Sequence, residues 1–286
     1  IPTLLLFLAV GMLAGSEGIG GIYFDNPVLA QFIGVVSLNF ILFSGGLDTK
    51  WKSIKPVMWP GLMLSSAGVL ITALSLGLFI HWITDFSILE SFLLGSIVSS
   101  TDAAAVFSIL RGRNLRLRGN MRPLLELESG SNDPMAYVLT ISFLSLIVNQ
   151  DQPVGHQVLL FFQQMAVGAL AGYLSGRYGR KLINRLQLGF EGLYPVLTVT
   201  VMLLVFSVTT IAGGNGFLAI YITAVILANS ELVHKNTIIK VFDGLAWIMQ
   251  ITLFLTLGLL VFPSHIVPVL GIGILIALFQ IVVSRP

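Results

Sequence analysis

Ten apolar segments, separated by short polar links, occupy most of this 286-residue sequence. Several reach the roughly 20 residues that a helix needs to cross about 30 Å of hydrocarbon, and a lone segment in lipid satisfies its backbone groups by forming a helix. Charged residues make up 10% of the chain, against about 25% in soluble domains. The sequence therefore predicts an all-α, polytopic membrane protein with ten transmembrane helices. The segments are Ile1–Gly15, Pro27–Leu47, Val57–Ile83, Ile88–Leu110, Leu124–Val148, Val158–Ser175, Val196–Ala212, Phe217–Leu232, Gly244–Phe262 and Ile266–Ser284.

Lysine and arginine residues are confined to alternate links. The links after segments 2, 4, 6 and 8 hold fourteen of the fifteen basic residues, and the fifteenth is Arg285 at the end of the last segment. The links after the odd-numbered segments carry acidic residues such as Glu17 and Asp85 instead. By the positive-inside rule the basic links are predicted to be cytoplasmic, with Ile1 on the cytoplasmic side. The net charge of +2 reflects this topology and indicates no nucleic-acid partner.

Two carboxylates lie inside the fourth and fifth segments. Asp102 comes nine residues before Arg111, and Asp133 comes eleven residues after Arg122 in the same basic link. At 1.5 Å per residue, these separations are about 14 Å and 17 Å. Both carboxylates are therefore expected near the middle of the bilayer on adjacent helices. Intramembrane carboxylates are costly and mark ion or substrate pathways by default.

The residues before Asp102 predict a break in the fourth helix. Ser99, Ser100 and Thr101 have hydroxyl groups that compete with helical backbone bonding, so the chain is expected to unwind around Thr101–Asp102. Transporters use such broken helices to present carbonyl groups and helix ends to ions.

The residues around Asp133 provide further oxygen ligands. Pro134 cannot donate a hydrogen bond to the carbonyl of Gly130, which frees an acceptor. Ser129 shares the helix face of Asp133, whereas Asn132 points about 100° away. Hard oxygen ligands without nitrogen or sulfur suit an alkali cation or a proton, and the chain contains no cysteine.

The motifs "STDAAAV" and "ESGSNDP", in this order and topology, resemble the paired signatures of the monovalent cation:proton antiporter-1 family of NhaP type, which includes sodium/proton and potassium/proton antiporters. "GNGFLAIYITAVILAN" in the eighth segment is also similar to the family pattern. The resemblance implies a thirteen-helix inverted-repeat fold with a broken crossing helix, a homodimer, and a bacterial inner (plasma) membrane location. On that plan, residues 1–286 form a single transmembrane exchanger domain that is truncated at both ends.

The resemblance also implies roles for individual residues. Asp133 would carry the cation and the proton, and Asp102, Thr101 and Ser129 would support the cation. Asn132 matches the asparagine of an Asn-Asp pair, which implies electroneutral exchange. An ion pair between Glu128 and Arg285 would brace that asparagine.

One position departs from the family pattern, and another matches it but lies at an unexpected depth. Ser44 in "LFSGGL" stands where many sodium-selective members carry an acid, so its hydroxyl favours potassium over sodium. A straight helix from Ile266 would place Arg285 about 28 Å along its axis, near the cytoplasmic edge. The pairing with Glu128 therefore requires a tilt or a later helix start after Pro268.

Two intramembrane carboxylates are compatible with three classes of function. An antiporter needs one protonatable carboxylate, and Asp133 provides it. A cation channel would require rings of carbonyls or charges along a pore. An intramembrane aspartyl protease is expected to carry Tyr-Asp and Gly-x-Gly-Asp, whereas this chain has Thr-Asp and Asn-Asp. The sequence thus predicts a transporter of H⁺ and K⁺ or Na⁺ that contacts membrane lipid, with no enzymatic activity and no cofactor.

Overall fold

The computed structural model describes residues 3–101, 119–149 and 153–284, and they form ten helical stretches. Among these residues the only β-type pairing is an isolated bridge between Gly15 and Ile22. The chain is therefore all-α, as predicted. The helices are α1 (Thr3–Ala14), α2 (Pro27–Asp48), α3 (Trp51–Ile83), α4 (Ile88–Val98), α5 (Met121–Val148), α6 (Val154–Arg185), α7 (Leu193–Ile211), α8 (Gly216–Ala228), α9 (Lys235–Leu260) and α10 (Pro263–Ser284).

Seven of these ten helices are long and apolar enough to cross a membrane. The other three, α1, α4 and α8, have 12, 11 and 13 residues. Helix α4 is shorter than the predicted segment because it ends at Val98, and the rest of that segment, from Asp102, lies outside the described residues. Helices α3, α5, α6, α7, α9 and α10 begin earlier than their predicted segments by three or more residues, and α6 also ends later.

Local sequence signals set several of the helix ends. Asn26 accepts a hydrogen bond from the Leu29 amide, and Pro27 occupies the first turn of α2. Ser87 and Glu90 form a capping box at the start of α4. These side chains satisfy amide groups that have no partner within the helix, so both helices begin at defined residues.

The third helix is irregular near its start. Residues Lys55–Val57 form a 3₁₀ turn that contains Pro56, and residues Leu64–Gly68 form a π-helical turn after Pro60. A proline removes one backbone donor and disturbs the helical hydrogen bonds around it. The two prolines and the two irregular turns therefore fall in the same half of α3.

Contacts between links support the predicted alternation of ends. The Asn229 side chain, in the link after α8, bonds the backbone of Thr49 and Trp51 in the link after α2. At the other end, Glu17 after α1 accepts hydrogen bonds from the Ser264 backbone amide, at 2.8 Å, and from its hydroxyl, and these bonds lower the pKa of the Glu17 carboxyl. We call these two ends the basic end and the acidic end of the molecule.

The helices group into two bundles. The larger bundle contains α1, α2 and α6–α9, whose main core includes Phe43, Met202, Phe217 and Phe242. The smaller bundle contains α3, α4, α5 and α10, with a core around Val69 and Met135. Helix α5 makes most of the contacts between the bundles, and each of its contacts with α2, α6 and α8 is limited. Within the described residues, the two bundles therefore share a thin interface.

Helix α8 lies very close to α6 along a ladder of glycines. A Cβ atom on Gly168 would come within 2.7 Å of the Asn215 carbonyl oxygen, and one on Gly172 would come within 2.6 Å of the Ala219 carbonyl oxygen. Small residues allow this separation between membrane helices. The ladder fixes α8 against α6, and α8 in turn contacts α5.

Candidate functional site

The candidate site lies where α4 ends against the middle of α5. Helix α4 stops at Val98, and Ser100 and Thr101 have no regular secondary structure. The Ser99 hydroxyl bonds the carbonyl of Ser96 at 2.8 Å, which is the local competition for backbone groups that predicts a helix break. The break is present in the described residues up to Thr101, and Asp102 lies outside them.

Thr101 is held by three side chains of α5. The Asn132 amide nitrogen donates to the Thr101 hydroxyl at 2.8 Å and to its carbonyl at 3.2 Å, and the Ser129 hydroxyl donates to the same carbonyl at 3.1 Å. The Thr101 hydroxyl lies 3.3 Å from Glu128 Oε1. The structure therefore brings Thr101, Ser129, Asn132 and Glu128 together.

Asp133 contacts the residue before Thr101. The Ser100 hydroxyl donates a short hydrogen bond to Asp133 Oδ1 and lies 3.4 Å from Asn132 Oδ1. The sequence analysis considered Ser100 as a helix breaker and missed it as a direct partner of the carboxylate. Its position one residue before Thr101 gave no signal for this contact, because the direction of a side chain in an unwound segment does not follow helical periodicity.

Glu128 and Asn132 form a buried polar pair one turn apart on α5. Glu128 is 9% exposed, Asn132 is fully buried, and the Asn132 amide donates to Glu128 Oε1 at 3.1 Å. Glu128 and Asn132 are therefore in direct contact. The other predicted member of this group, Arg285, lies outside the described residues.

A cavity of about 290 Å³ opens beside Asp133. Helix α5 runs from the basic end towards the acidic end, so Ala136, Tyr137 and Thr140 in its wall lie on the acidic-end side of the carboxylate. Ile97 of α4, Ser100 beyond the end of that helix and Leu38 of α2 line the remaining wall. Asp133 is therefore half-buried and faces a recess between the two bundles.

The backbone carbonyl of Pro134 connects α5 to α8. Helix α5 continues through this proline, and the Asn215 amide donates to the Pro134 carbonyl oxygen at 3.0 Å. Asn215 also caps α8 by accepting a hydrogen bond from the Leu218 amide at 3.1 Å. The start of α8 is therefore attached to α5 at the depth of Asp133.

Ser44 has an acidic neighbour that the sequence analysis missed. Its hydroxyl donates to Asp243 Oδ1 at 3.1 Å, which joins α2 to α9. The apolar segment was predicted to begin at Gly244, whereas α9 begins at Lys235, so Asp243 lies within the helix. An acid therefore lies beside Ser44, on the adjacent helix and not at position 44 itself. In the sequence this acid is Asp243, three residues after Lys240.

The donor set around Asp133 consists of oxygen atoms from carboxylate, hydroxyl, amide and backbone groups. Among the described residues, no group of three or more His, Cys, Asp or Glu side chains could hold a metal ion. Oxygen ligands with one or two carboxylates suit a hard monovalent cation or a proton. This chemistry agrees with the ligand set that the sequence predicts.

Comparison with known proteins identifies the family. The family described as "Sodium/hydrogen exchanger, transmembrane" matches residues 1–286 of this chain. The chain belongs to that family. The sodium/hydrogen exchanger family is a family of membrane transporters, so the chain is an integral membrane protein.

Curated relatives in this family are similar over the whole chain. A K(+)/H(+) antiporter NhaP of Alkalimonas amylolytica is 42% identical over 280 residues, which cover 96% of this chain and 49% of the relative. A K(+)/H(+) antiporter NhaP2 of Shewanella sp. strain ANA-3 is 40% identical over 288 residues, covering 100% of this chain and 50% of the relative. The chain therefore spans about half the length of these relatives.

A solved structure shows the same fold. The sodium proton antiporter MjNhaP1 from Methanocaldococcus jannaschii at pH 8 superposes with a TM-score of 0.85, covering 100% of this chain and 71% of that chain at 23% identity. This likeness confirms the predicted NhaP-type antiporter fold for the exchanger-family chain.

Proposed function

We propose that this protein is a secondary active transporter that exchanges a monovalent cation for H⁺ across the membrane. The observation that carries the proposal is the half-buried carboxylate of Asp133, which faces a recess between two bundles and contacts Ser100 at a helix break. Family membership and the curated K(+)/H(+) antiporters support the same conclusion.

Competition at Asp133 would couple the two ions. Burial disfavours the charged form of a carboxylate, and either a proton or a nearby cation removes this penalty. Asp133 would therefore hold one or the other during each crossing. Thr101 and Ser129, with Asp102, would supply further oxygen ligands to the cation, and Ser100 would orient the carboxylate.

The thin interface between the bundles supports alternating access. Rocking of one bundle against the other would expose Asp133 first at one end of the molecule and then at the other. The dense packing of α6 on α8 gives the larger bundle a rigid surface for this movement. We propose that the basic end faces the cytoplasm, in a bacterial inner membrane, and that the protein is a homodimer in contact with lipid.

Potassium is the proposed cation, and exchange is proposed to be electroneutral. The curated relatives at about 40% identity are K(+)/H(+) antiporters, and Ser44 carries a hydroxyl in place of an acid. Asn132 is neutral, so Asp133 would be the titrating group of the site. One proton would then exchange for one cation.

Ion exchange in proteoliposomes tests the proposal directly. The purified, full-length protein is reconstituted, and proton movement is followed after addition of K⁺, Na⁺ or Li⁺ to the outside. An antiporter moves protons against the added cation, with K⁺ giving the largest response. Cation flux without opposite proton movement would instead indicate a channel, which is the second candidate, since it is compatible with the recess beside Asp133.

A further inference from the structure

Tyr221 of α8 packs against α5, nearer the basic end of the molecule than Asp133. Its side chain is 4% exposed. A Cβ atom on Gly130 would come within 2.6 Å of Tyr221 Cε2 and 2.8 Å of its hydroxyl oxygen, so the ring lies directly on the glycine backbone. Gly130 comes three residues before Asp133, about 4.5 Å nearer the basic end. The ring therefore lies nearer the basic end of the molecule than the carboxylate does.

A second pocket lies at the basic end of the molecule, and Thr49 belongs to its wall. It has a volume of about 710 Å³, and Lys52, Asn229 and Lys235 also belong to its wall. The Tyr221 hydroxyl lies beside the side chains of Thr49 and Ser131. Tyr221 thus lies between Thr49 in the wall of this pocket and Gly130 on the helix that carries Asp133.

The hydroxyl of Tyr221 makes no hydrogen bond of normal geometry with any described residue. The ring, by contrast, is tightly placed, because Gly130 offers no side chain and Tyr221 fills that space. These two observations suit a side chain that changes its environment when the bundles move.

We propose that Tyr221 is the gate between the pocket at the basic end and Asp133. In the conformation described here the ring rests on Gly130 and closes this route, while Asp133 faces the cavity on the acidic-end side. Movement of α5 away from α8 would lift Gly130 from the ring and join the pocket to the site. The inference rests on the proposed transport function, and it names the residue that controls access from one end.

Thiol labelling tests the gate without measuring transport. Ala136→Cys places a reporter in the cavity wall beside Asp133, in a chain without other cysteines. A membrane-impermeant maleimide is applied at the basic end or at the acidic end in oriented vesicles. With Tyr221 intact, the cysteine is expected to be labelled rapidly from the acidic end and slowly from the basic end.

Truncation of the ring is expected to open the basic-end route. Open states of such proteins are often populated at roughly 0.1–10%, so Tyr221→Ala or the milder Tyr221→Leu is expected to raise basic-end labelling about tenfold. Tyr221→Phe keeps the ring and is expected to leave labelling unchanged. Gly130→Ala pushes the ring away and is expected to raise labelling, whereas Gly45→Ala, where a Cβ atom meets no neighbour, serves as control.

Two results would overturn the gate. One is unchanged basic-end labelling in both Tyr221→Ala and Tyr221→Leu when the variants are monodisperse by size exclusion. The other is an increase in Tyr221→Phe as large as that in Tyr221→Ala, because the ring would then not be the barrier. Absence of ion exchange by the wild-type protein, together with the expected labelling pattern, would contradict the transport proposal and leave the gate intact.

Discussion

The amide nitrogen of Asn132 lies 3.1 Å from the Oε1 atom of Glu128, one turn away on the same helix. The same amide also donates to Thr101, so Asn132 connects the helix break to the buried carboxylate. A neutral side chain at this position can donate to both groups, whereas an aspartate could donate to neither. Because Asn132 is neutral, we expect each transport cycle to move no net charge.

The first prediction is that transport does not respond to membrane potential. With Asn132 neutral, one proton exchanges for one cation and no net charge moves. The potential acts on net charge at about 2.3 kcal/mol per charge per 100 mV, so a two-for-one exchanger would respond strongly. The measurement is the exchange rate in proteoliposomes clamped at zero and at about 100 mV, with ion gradients held equal.

Asn132→Asp is the companion variant for this prediction. A second acid beside Glu128 loses both donated hydrogen bonds and adds like-charge repulsion, so we expect a lower Tm. A shift of the wild-type rate or reversal point that corresponds to one net charge per cycle would show that electroneutral exchange is wrong.

The second prediction concerns Ser100. Ser100→Ala removes the hydrogen bond to Asp133, and a hydrogen bond to a charged group contributes about 1.5–3 kcal/mol. We expect a weaker apparent affinity for the cation, measured as a higher half-saturating K⁺ concentration. Ser99→Ala is the control, since that hydroxyl bonds the Ser96 carbonyl. Equal effects of the two variants would contradict a direct role for Ser100.

The third prediction concerns the pair of Ser44 and Asp243. Ser44→Glu is expected to raise the apparent affinity for sodium relative to potassium. The Asp243 carboxylate lies 3.1 Å from the Ser44 hydroxyl, so the single variant also places two acids together. Ser44→Glu combined with Asp243→Asn tests the acid at position 44 alone. An unchanged ratio of sodium to potassium affinity in the double variant would remove the residue-level basis for potassium preference.

The sequence predicted the fold because each helix leaves a separate signal. Apolar length marks α2, α3, α5, α6, α7, α9 and α10 as spans. The alternating basic links specify which ends lie together, and the contact of Asn229 with Thr49 agrees with that assignment. Apolar length and the distribution of charge can both be read from a single sequence.

The sequence predicted the site only in part. Motif positions identified Asp133, Asn132 and Thr101, which the structure brings together. The contact of Ser100 with Asp133 and the contact of Tyr221 with Gly130 were not predicted. Both form between separate segments, and hydrophobic periodicity does not encode such contacts. An aromatic residue at a helical position is usually interpreted as core packing, and the position of Tyr221 over Gly130 appears only in three dimensions.

The fourth prediction concerns the glycine ladder of α6. Gly172→Leu places a side chain where the Ala219 carbonyl oxygen would be 2.6 Å from its Cβ. Overpacking of this kind costs about 1–3 kcal/mol or more, so we expect a lower thermal stability of the detergent-solubilised protein and reduced exchange. Gly155→Leu on the same helix is the control because no atom lies within 4 Å of a Cβ there. Similar melting temperatures for the two variants would show that close packing of α6 on α8 is not required.

The most direct test of the account is exchange by Asp133→Asn. Asparagine keeps the shape of the side chain but can neither release a proton nor neutralise a cation with a full charge. Proton efflux driven by a K⁺ gradient is measured in proteoliposomes for the wild type, for Asp133→Asn and for the loop control Asp25→Asn. We expect Asp133→Asn to insert and fold normally with no exchange above empty liposomes, while Asp25→Asn exchanges like the wild type. Robust K⁺/H⁺ exchange by Asp133→Asn would contradict the assignment of Asp133 as the carrier of both ions.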